Sequence, residues 1–289
     1  MILLSNGHRF EYMAASGALA FDGRGWPWER PLCWLSLLDP RQFTIVIKTL
    51  TRHPRRGNLR WHNPLGCVRL LRGGTVNAIG LTNPGIDWWC ERVGPRIGAS
   101  GLHLAGSITS DALPELAEMA AMLNPFPLVA VELNASCPNS QAEMMANTRL
   151  VIDAVRAAKS AMRHPLILKL SVVHDYVTIA KAVADLVEAV AINSVPWRHI
   201  FGDRPSPLAH LGGGGVSGKA AQVHTWKMVQ ELATHTSVPV IGPSVWEYAD
   251  IARLRNLGAQ AISFGAIFLR YPWRPTRYVR RDQSGPQSV

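Results

Sequence analysis

The sequence predicts an α/β protein, a single-domain (β/α)8 barrel, and three observations carry that expectation. Short apolar, β-branched runs alternate with stretches whose apolar residues recur three and four apart, the periods of strand and helix in turn. The runs are apolar throughout rather than alternating, as in parallel strands buried on both faces. A Lys or an Asn closes four of them, Lys48, Asn134, Lys169 and Asn193, at matching depth. A length of 289 residues suits one barrel of about 250 residues with additions. An open doubly wound sheet is the competitor, but Ala14-Ala15-Ser16-Gly17-Ala18 stands where a G-x-G-x-x-G fingerprint would follow the first strand.

In chain order, strands are expected at residues 11–15, 44–48, 97–102, 128–134, 166–170, 189–193, 238–242 and 261–265, the first and third on weaker patterns. Helices are expected at 113–123, 148–162, 177–187, 219–234 and 248–257. The domain spans 1–289 without a linker, charge block or repeat of fixed period. From about 271 the chain reads as a basic, solvated tail, because Arg270, Arg274, Arg277, Arg280 and Arg281 crowd together. Gly25-Trp26-Pro27-Trp28 and Asp87-Trp88-Trp89 read as aromatic packing outside the barrel, core filling ahead of a subunit contact.

Composition narrows the function classes. Thirty Lys plus Arg against 20 Asp plus Glu give a formal charge of +10, which favours anionic ligands; a specific nucleic-acid role is not expected, since bulk charge governs encounter rather than recognition. No stretch approaches the roughly 18 uncharged apolar residues of a membrane span, and the first residues lack a signal-peptide core, so a cytoplasmic protein is expected. Cys33, Cys67, Cys90 and Cys137 are too dispersed for a metal site or a disulfide framework and read as reduced thiols.

Chemistry in a barrel gathers at the C-terminal ends of its strands. The segment Asn134-Ala135-Ser136-Cys137-Pro138-Asn139 lies there and resembles the substrate-loop signature N-x-S-C-P-N of the class 1 dihydroorotate dehydrogenases. Lys48-Thr49-Leu50-Thr51 with Gly57-Asn58 looks like the family's K-T-x-T and G-N pair, and the stretch from Asn77 to Gly85 looks like its N-x-x-G-L-x-N-x-G loop. Lys169-Leu170-Ser171, Ile192-Asn193-Ser194 and the glycine run before Val216-Ser217-Gly218 follow in the family's order. The resemblance covers roughly residues 10 to 270.

That resemblance implies an FMN enzyme oxidising dihydroorotate to orotate in pyrimidine synthesis. Carbon 5 of a dihydropyrimidine must lose a proton and carbon 6 a hydride; side chains supply a base, whereas the hydride acceptor is a cofactor. Cys137 is the implied base, a thiol being tunable toward neutral pH by nearby cations. Lys48, Asn77, Asn134, Asn139, Asn193 and Ser194, with the backbone of Gly80 and Leu81, are the implied substrate frame, because amides match ring carbonyls and N–H groups edge for edge. Ala15, Ser16, Lys48, Thr49, Asn134, Lys169, Asn193, Gly215, Ser217, Gly218, Gly242, Ser244, Gly265 and Ala266 are the implied FMN contacts. Among them Lys169 supplies a cation for the ring as it gains charge, the ring being the lysine's counter-charge in return. Lys48 either holds Cys137 as thiolate or binds the orotate carboxylate.

Two departures stand out. Gly242-Pro243-Ser244 replaces the family's G-G phosphate turn, and Pro243 offers no N–H. Residues 140–145 replace a glycine-bearing lid. A homodimer is the default assembly, and the loop from Asn77 to Gly85 leans toward class members that pass electrons to NAD through an iron–sulfur flavoprotein partner rather than to fumarate. The alternatives are a flavin barrel reducing uridines in tRNA, which would lack Asn139, and a barrel that has lost its flavin and serves as a binding subunit.

Overall fold

The computed structural model describes residues 1–60, 62–135 and 147–285. Its strands, in chain order, are β1 (Ile2–Leu3), β2 (Arg9–Phe10), β3 (Tyr12–Ala14), β4 (Thr44–Val46), β5 (Val68–Leu71), β6 (Gly74–Asn77), β7 (His103–Ile108), β8 (Ala130–Asn134), β9 (Leu166–Leu170), β10 (Ala189–Ile192), β11 (Val195–Pro196), β12 (Gly215–Gly218), β13 (Ile241–Gly242) and β14 (Ala261–Phe264). Eight of them pair in the order β10-β9-β8-β7-β4-β3-β14-β13, every neighbour parallel. A parallel bridge between Val190 and Val240, with Val190 N donating to Pro239 O, joins the two ends. The sheet is therefore a closed (β/α)8 barrel without a free edge.

Alternation along each strand divides the apolar residues into two cores. Val131 and Leu133 of β8 and Leu166, Leu168 and Leu170 of β9 face outward, onto helices Leu113–Leu123, Thr148–Ala161 and Tyr176–Ala182. Ala105, Ala130, Ile167, Ala189, Ala191 and Ala261 face inward. Those small inward residues leave room at the base for Ile2, Leu4 and Phe10, so the β1–β2 hairpin plugs the barrel from below. Polar inward residues come higher up: Ser107, Glu132, Asn134 and Lys169, all buried.

The third expected strand is displaced. Residues 97–102 hold the 3-10 turn Gly98–Ser100 and Gly101, whose φ of 66° is left-handed, and the strand is His103–Ile108. Its inward Ala105 and Ser107 and its Gly106 lack the β-branched signature, while glycine-flanked Ile97 mimics it. The expected helix at 177–187 is Tyr176–Ala182, capped by Asp175, which accepts from Thr178 N at 3.3 Å.

The basic tail is another correction. Arg274–Gln283 is a helix that buries Pro275, Thr276, Tyr278 and Val279 against the barrel. Tyr12 donates to Asp282, and Arg255 Nη2 reaches the same carboxylate at 2.7 Å. Arg281 lies over the Tyr248 ring, 4.2 Å from its centroid. Arginines spaced along one face made the segment look solvated, while the apolar face between them carried the packing. The tryptophan segments divide as well. Trp89 is fully buried and donates from Nε1 to Phe21 O at 2.8 Å, which is core filling, whereas Trp26 and Trp28 stack 5.5 Å apart and wall a cavity.

Over the barrel mouth lies a second sheet that the periodicity gives no hint of, antiparallel in the order β11-β12-β6-β5. Val76, Ala78, Leu208 and Val216 form its small core, flanked by Trp197, Ile200 and Phe201. At Gly74 a Cβ would stand 2.1 Å from Ser217 O, so the crossing of β6 and β12 requires glycine there.

Candidate active site

A cavity of about 470 Å³ opens at the C-terminal mouth between barrel and cap, within the roughly 300–1,000 Å³ of small-molecule sites. Ala15, Ser16, Lys48, Thr49, Asn77, Gly80, Leu81, Asn134, Lys169, Asn193, Ser194, Gly215, Ser217, Gly218, Ser244, Gly265 and Ala266 all line it. Gly242 does not: it lies below, where a Cβ would meet Ala259 Cβ at 2.9 Å and Leu254 at 3.0 Å, a close strand–helix contact. Cys137 and Asn139 lie outside the described residues.

Strand register explains the convergence. Asn134 pairs with Lys169 across β8 and β9, so both reach inward at one level. Lys48 follows β4, and Asn193 follows β10 with its N–H bonded to Leu170 O at 2.9 Å. Asn77 closes β6 of the cap, its Nδ2 3.5 Å from Gly215 O. Gly80 and Leu81 both have left-handed backbones, φ 68° and 57°. Buried Asn83 holds that turn: its Nδ2 donates to Leu81 O at 2.7 Å and its Oδ1 accepts from Gly85 N at 2.9 Å.

Beneath the cavity runs a buried polar chain. Lys169 Nζ lies 3.3 Å from Glu132 Oε1, and Ser107 Oγ donates to the same oxygen at 3.0 Å. The Ser107 hydroxyl bonds Thr49 Oγ1 at 2.9 Å, and Thr49 Oγ1 also accepts from Asn134 Nδ2 at 3.2 Å. Sequence reasoning left Lys169 without a protein counter-charge, and Glu132 is one. The signal was available, since a carboxylate inside an apolar strand needs a buried partner.

At the opposite end the Gly242-Pro243-Ser244 turn keeps a glycine-like shape. Ser244 has φ 66°, a conformation costly for any residue but glycine, and three side chains enforce it. Gln222 Nε2 donates to Ser244 O at 3.0 Å, and Thr225 Oγ1 lies 3.2 Å from Ser244 Oγ. Buried Asp250 accepts from Gln222 Nε2, Trp246 N and Glu247 N at 2.8 to 2.9 Å. Gln222 and Asp250 escaped sequence reasoning because each reads as an ordinary helix residue.

Along one flank, Trp26 Nε1 donates to Gly17 O at 3.0 Å and Trp26 N to Glu29 Oε2 at 2.8 Å; burial pushes the Glu29 carboxyl up to about 7. The cavity thus pairs cations and amides with an apolar wall of Trp26, Val68, Ile192 and Val245, a donor set suited to a flat, polar-edged aromatic ring and an anion. None of the described cysteines lines it, and burial pushes the Cys90 thiol up to about 11. Among the described residues no group of three side chains could hold a metal ion, and no helix is long and apolar enough to cross a membrane.

Residues 33–265 match the family described as dihydroorotate dehydrogenase. The chain belongs to that family. The dihydroorotate dehydrogenase B (NAD(+)) catalytic subunit of Bacteroides fragilis is 31% identical over 229 residues, 76% of this chain and 74% of that protein. Its counterpart in Geobacter sulfurreducens is 33% identical over 230 residues, 76% and 73% of the two chains. Dihydroorotate dehydrogenase of Eimeria tenella, solved ligand-free, superposes with a TM-score of 0.71 at 17% identity, covering 93% of this chain and 85% of that one, a likeness of fold.

Proposed function

We propose that this chain oxidises dihydroorotate to orotate with bound FMN, in the making of pyrimidines, and that Cys137 removes the carbon 5 proton. The observation that carries the proposal is the convergence of Lys48, Asn77, Asn134, Lys169 and Asn193, from four barrel strands and the cap, on one cavity. FMN, when bound, supplies the hydride acceptor that side chains lack. Lys48, Thr49, Asn134, Lys169 and Asn193 would hold its ring, and Ser16, Ser217, Gly218, Ser244, Gly265 and Ala266 would hold its chain and phosphate. Ala15 and Gly215 border the same space.

Asn77, Asn134, Asn139, Asn193 and Ser194 orient the pyrimidine by donating to its carbonyls and accepting from its N–H groups, joined by backbone of Gly80 and Leu81. The Cys137 thiolate takes the carbon 5 proton as the carbon 6 hydride departs, leaving the C5–C6 double bond of orotate. The positive charge of Lys48 favours the thiolate form of Cys137 or binds the substrate carboxylate. The cap sheet and the wall of Trp26 exclude water from the proton transfer.

Similarity to proteins named as catalytic subunits for NAD(+) supports a partner subunit through which electrons pass onward; we take that partner to be an iron–sulfur flavoprotein, and this chain to act as a homodimer in the cytoplasm. The deciding experiment is anaerobic mixing of the purified, FMN-loaded protein with dihydroorotate. Bleaching of the flavin band is expected, slowed about 10²-fold or more in Cys137→Ala, the scale of a lost general base. A protein that takes up no FMN, or bleaching at an equal rate in the variant, overturns the proposal in its cofactor or its base respectively.

A further inference from the structure

Lys169 faces the cavity with a carboxylate at its back. β7, β8 and β9 are in register, Ser107 opposite Glu132 and Asn134 opposite Lys169, so Glu132 sits one inward step below the cavity floor. Glu132 does not line the cavity; it touches Lys169 and Ser107. The side chains of Lys169 and Glu132 are 9% and 2% exposed. At so little exposure, water does little to weaken the attraction, and a partner at 3.3 Å fixes where the ammonium points.

We propose that Glu132 is a positioning residue that aims Lys169 at the flavin and cancels part of its field, so that it sets how strongly the site favours negative charge on the ring. The inference rests on the flavin reading above. A lone buried ammonium would stabilise a charged ring strongly and leave the site poorly balanced when the ring is neutral. With Glu132 in place the pair is neutral overall, and the ring meets the positive end of a dipole. Ser107 tempers the carboxylate further: its hydroxyl donates to the oxygen that Lys169 approaches, drawing charge away from the ion pair.

Sulfite tests this without turnover. Its sulfur lone pair forms a bond to flavin N5, the charge it brings comes to rest on the N1–C2 carbonyl edge, and the flavin band bleaches, so its dissociation constant reports the positive field at that edge. In FMN-loaded protein, Glu132→Gln should tighten sulfite about tenfold, equivalent to about 30 mV for a two-electron couple. Ser107→Ala should weaken it about threefold, because a carboxylate that has lost a donor leans harder on Lys169. In a Lys169→Met background, the Glu132→Gln effect should shrink several-fold, because the part exerted by aiming Lys169 is gone, which a merely structural role would not produce.

Equal sulfite constants in wild type and Glu132→Gln, or an undiminished Glu132→Gln effect without Lys169, would overturn the inference. Should Glu132→Gln fail to fold, Ser107→Ala carries the test, and a constant unchanged or tightened there is the refuting result. FMN binding is measured first by flavin fluorescence. Wild-type protein that binds no FMN refutes the flavin reading, whereas FMN-loaded variants with unaltered sulfite constants refute only the role of Glu132.

Discussion

β8 and β9 are buried along their whole length, whereas β5 of the cap exposes Arg69 and Leu70, and β6 and β12 cross at glycines. Barrel strands exclude water on two sides, so burial of apolar area specifies them. The cap has water on one side and a ligand cavity on the other, so close backbone approach specifies it instead. Stability therefore resides in the barrel, while the cap shapes the site at small cost to the fold, and mutations should separate the two.

The largest expected effect is in the barrel's outer core. Trp89→Ala should destabilise by about 3–5 kcal/mol, the range for a buried aromatic, read from the denaturant midpoint. Protein that remains folded should still bind FMN as wild type does; weakened binding in that fraction would blur the division.

Next is a pH effect at the top of β9. Burial lowers His174 to about 4 from an ordinary 6.5, and its Nδ1 accepts from Ser171 N at 3.1 Å. The folded state resists the proton that the unfolded chain takes. Stability from this residue is thus whole above pH 6.5 and declines as pH falls toward 4, by about 3 kcal/mol in all. His174→Gln should flatten that acid limb. Glu29, raised to about 7 from 4.5, acts in the opposite sense: its contribution is whole below 4.5 and is lost as pH rises through 7, a limb that Glu29→Gln should remove. An unchanged slope in either variant refutes its assignment.

In the cap, Gly74→Ala forces a Cβ against Ser217 O and should cost about 1–3 kcal/mol, but its larger consequence should be weaker orotate binding, because Asn77 ends the same strand. Calorimetric titration with orotate checks this. Smallest is Trp197→Ala, which trims the half-buried cap core and should cost only about 1–2 kcal/mol. A loss matching that of Trp89→Ala would show that barrel and cap fold as one unit.

Legibility followed the same division. Seven of the eight expected barrel strands overlap their observed spans, because continuous apolar runs report burial on both faces; the exception, at 97–102, failed where alanine and serine build the inward face of β7 and Gly106 interrupts its outward face. Helix Arg274–Gln283 was hidden by its arginines, and the cap by its glycines and short strands. At the site, Lys48, Asn134, Lys169 and Asn193 were legible because a polar residue that ends an apolar run must have somewhere polar to go. Gln222, Asp250 and the Trp26–Trp28 wall were not, since what each holds or borders is set by the fold, as with Gln222 and Ser244, 22 residues apart; Glu132 carried a signal, a carboxylate inside an apolar strand, but not the identity of its partner.

The sequence alone determined the alternation of strand and helix, the barrel it implies, and the residue types at the strand ends, because hydrophobic periodicity is a local property that burial rewards directly. Tertiary structure alone decided which charges share a low-dielectric interior, which turn is held in a left-handed shape, and which surface closes the mouth. Those depend on register and on distances across the barrel, and Lys169 meets Glu132 only because parallel pairing brings residues 37 apart in sequence to within 3.3 Å.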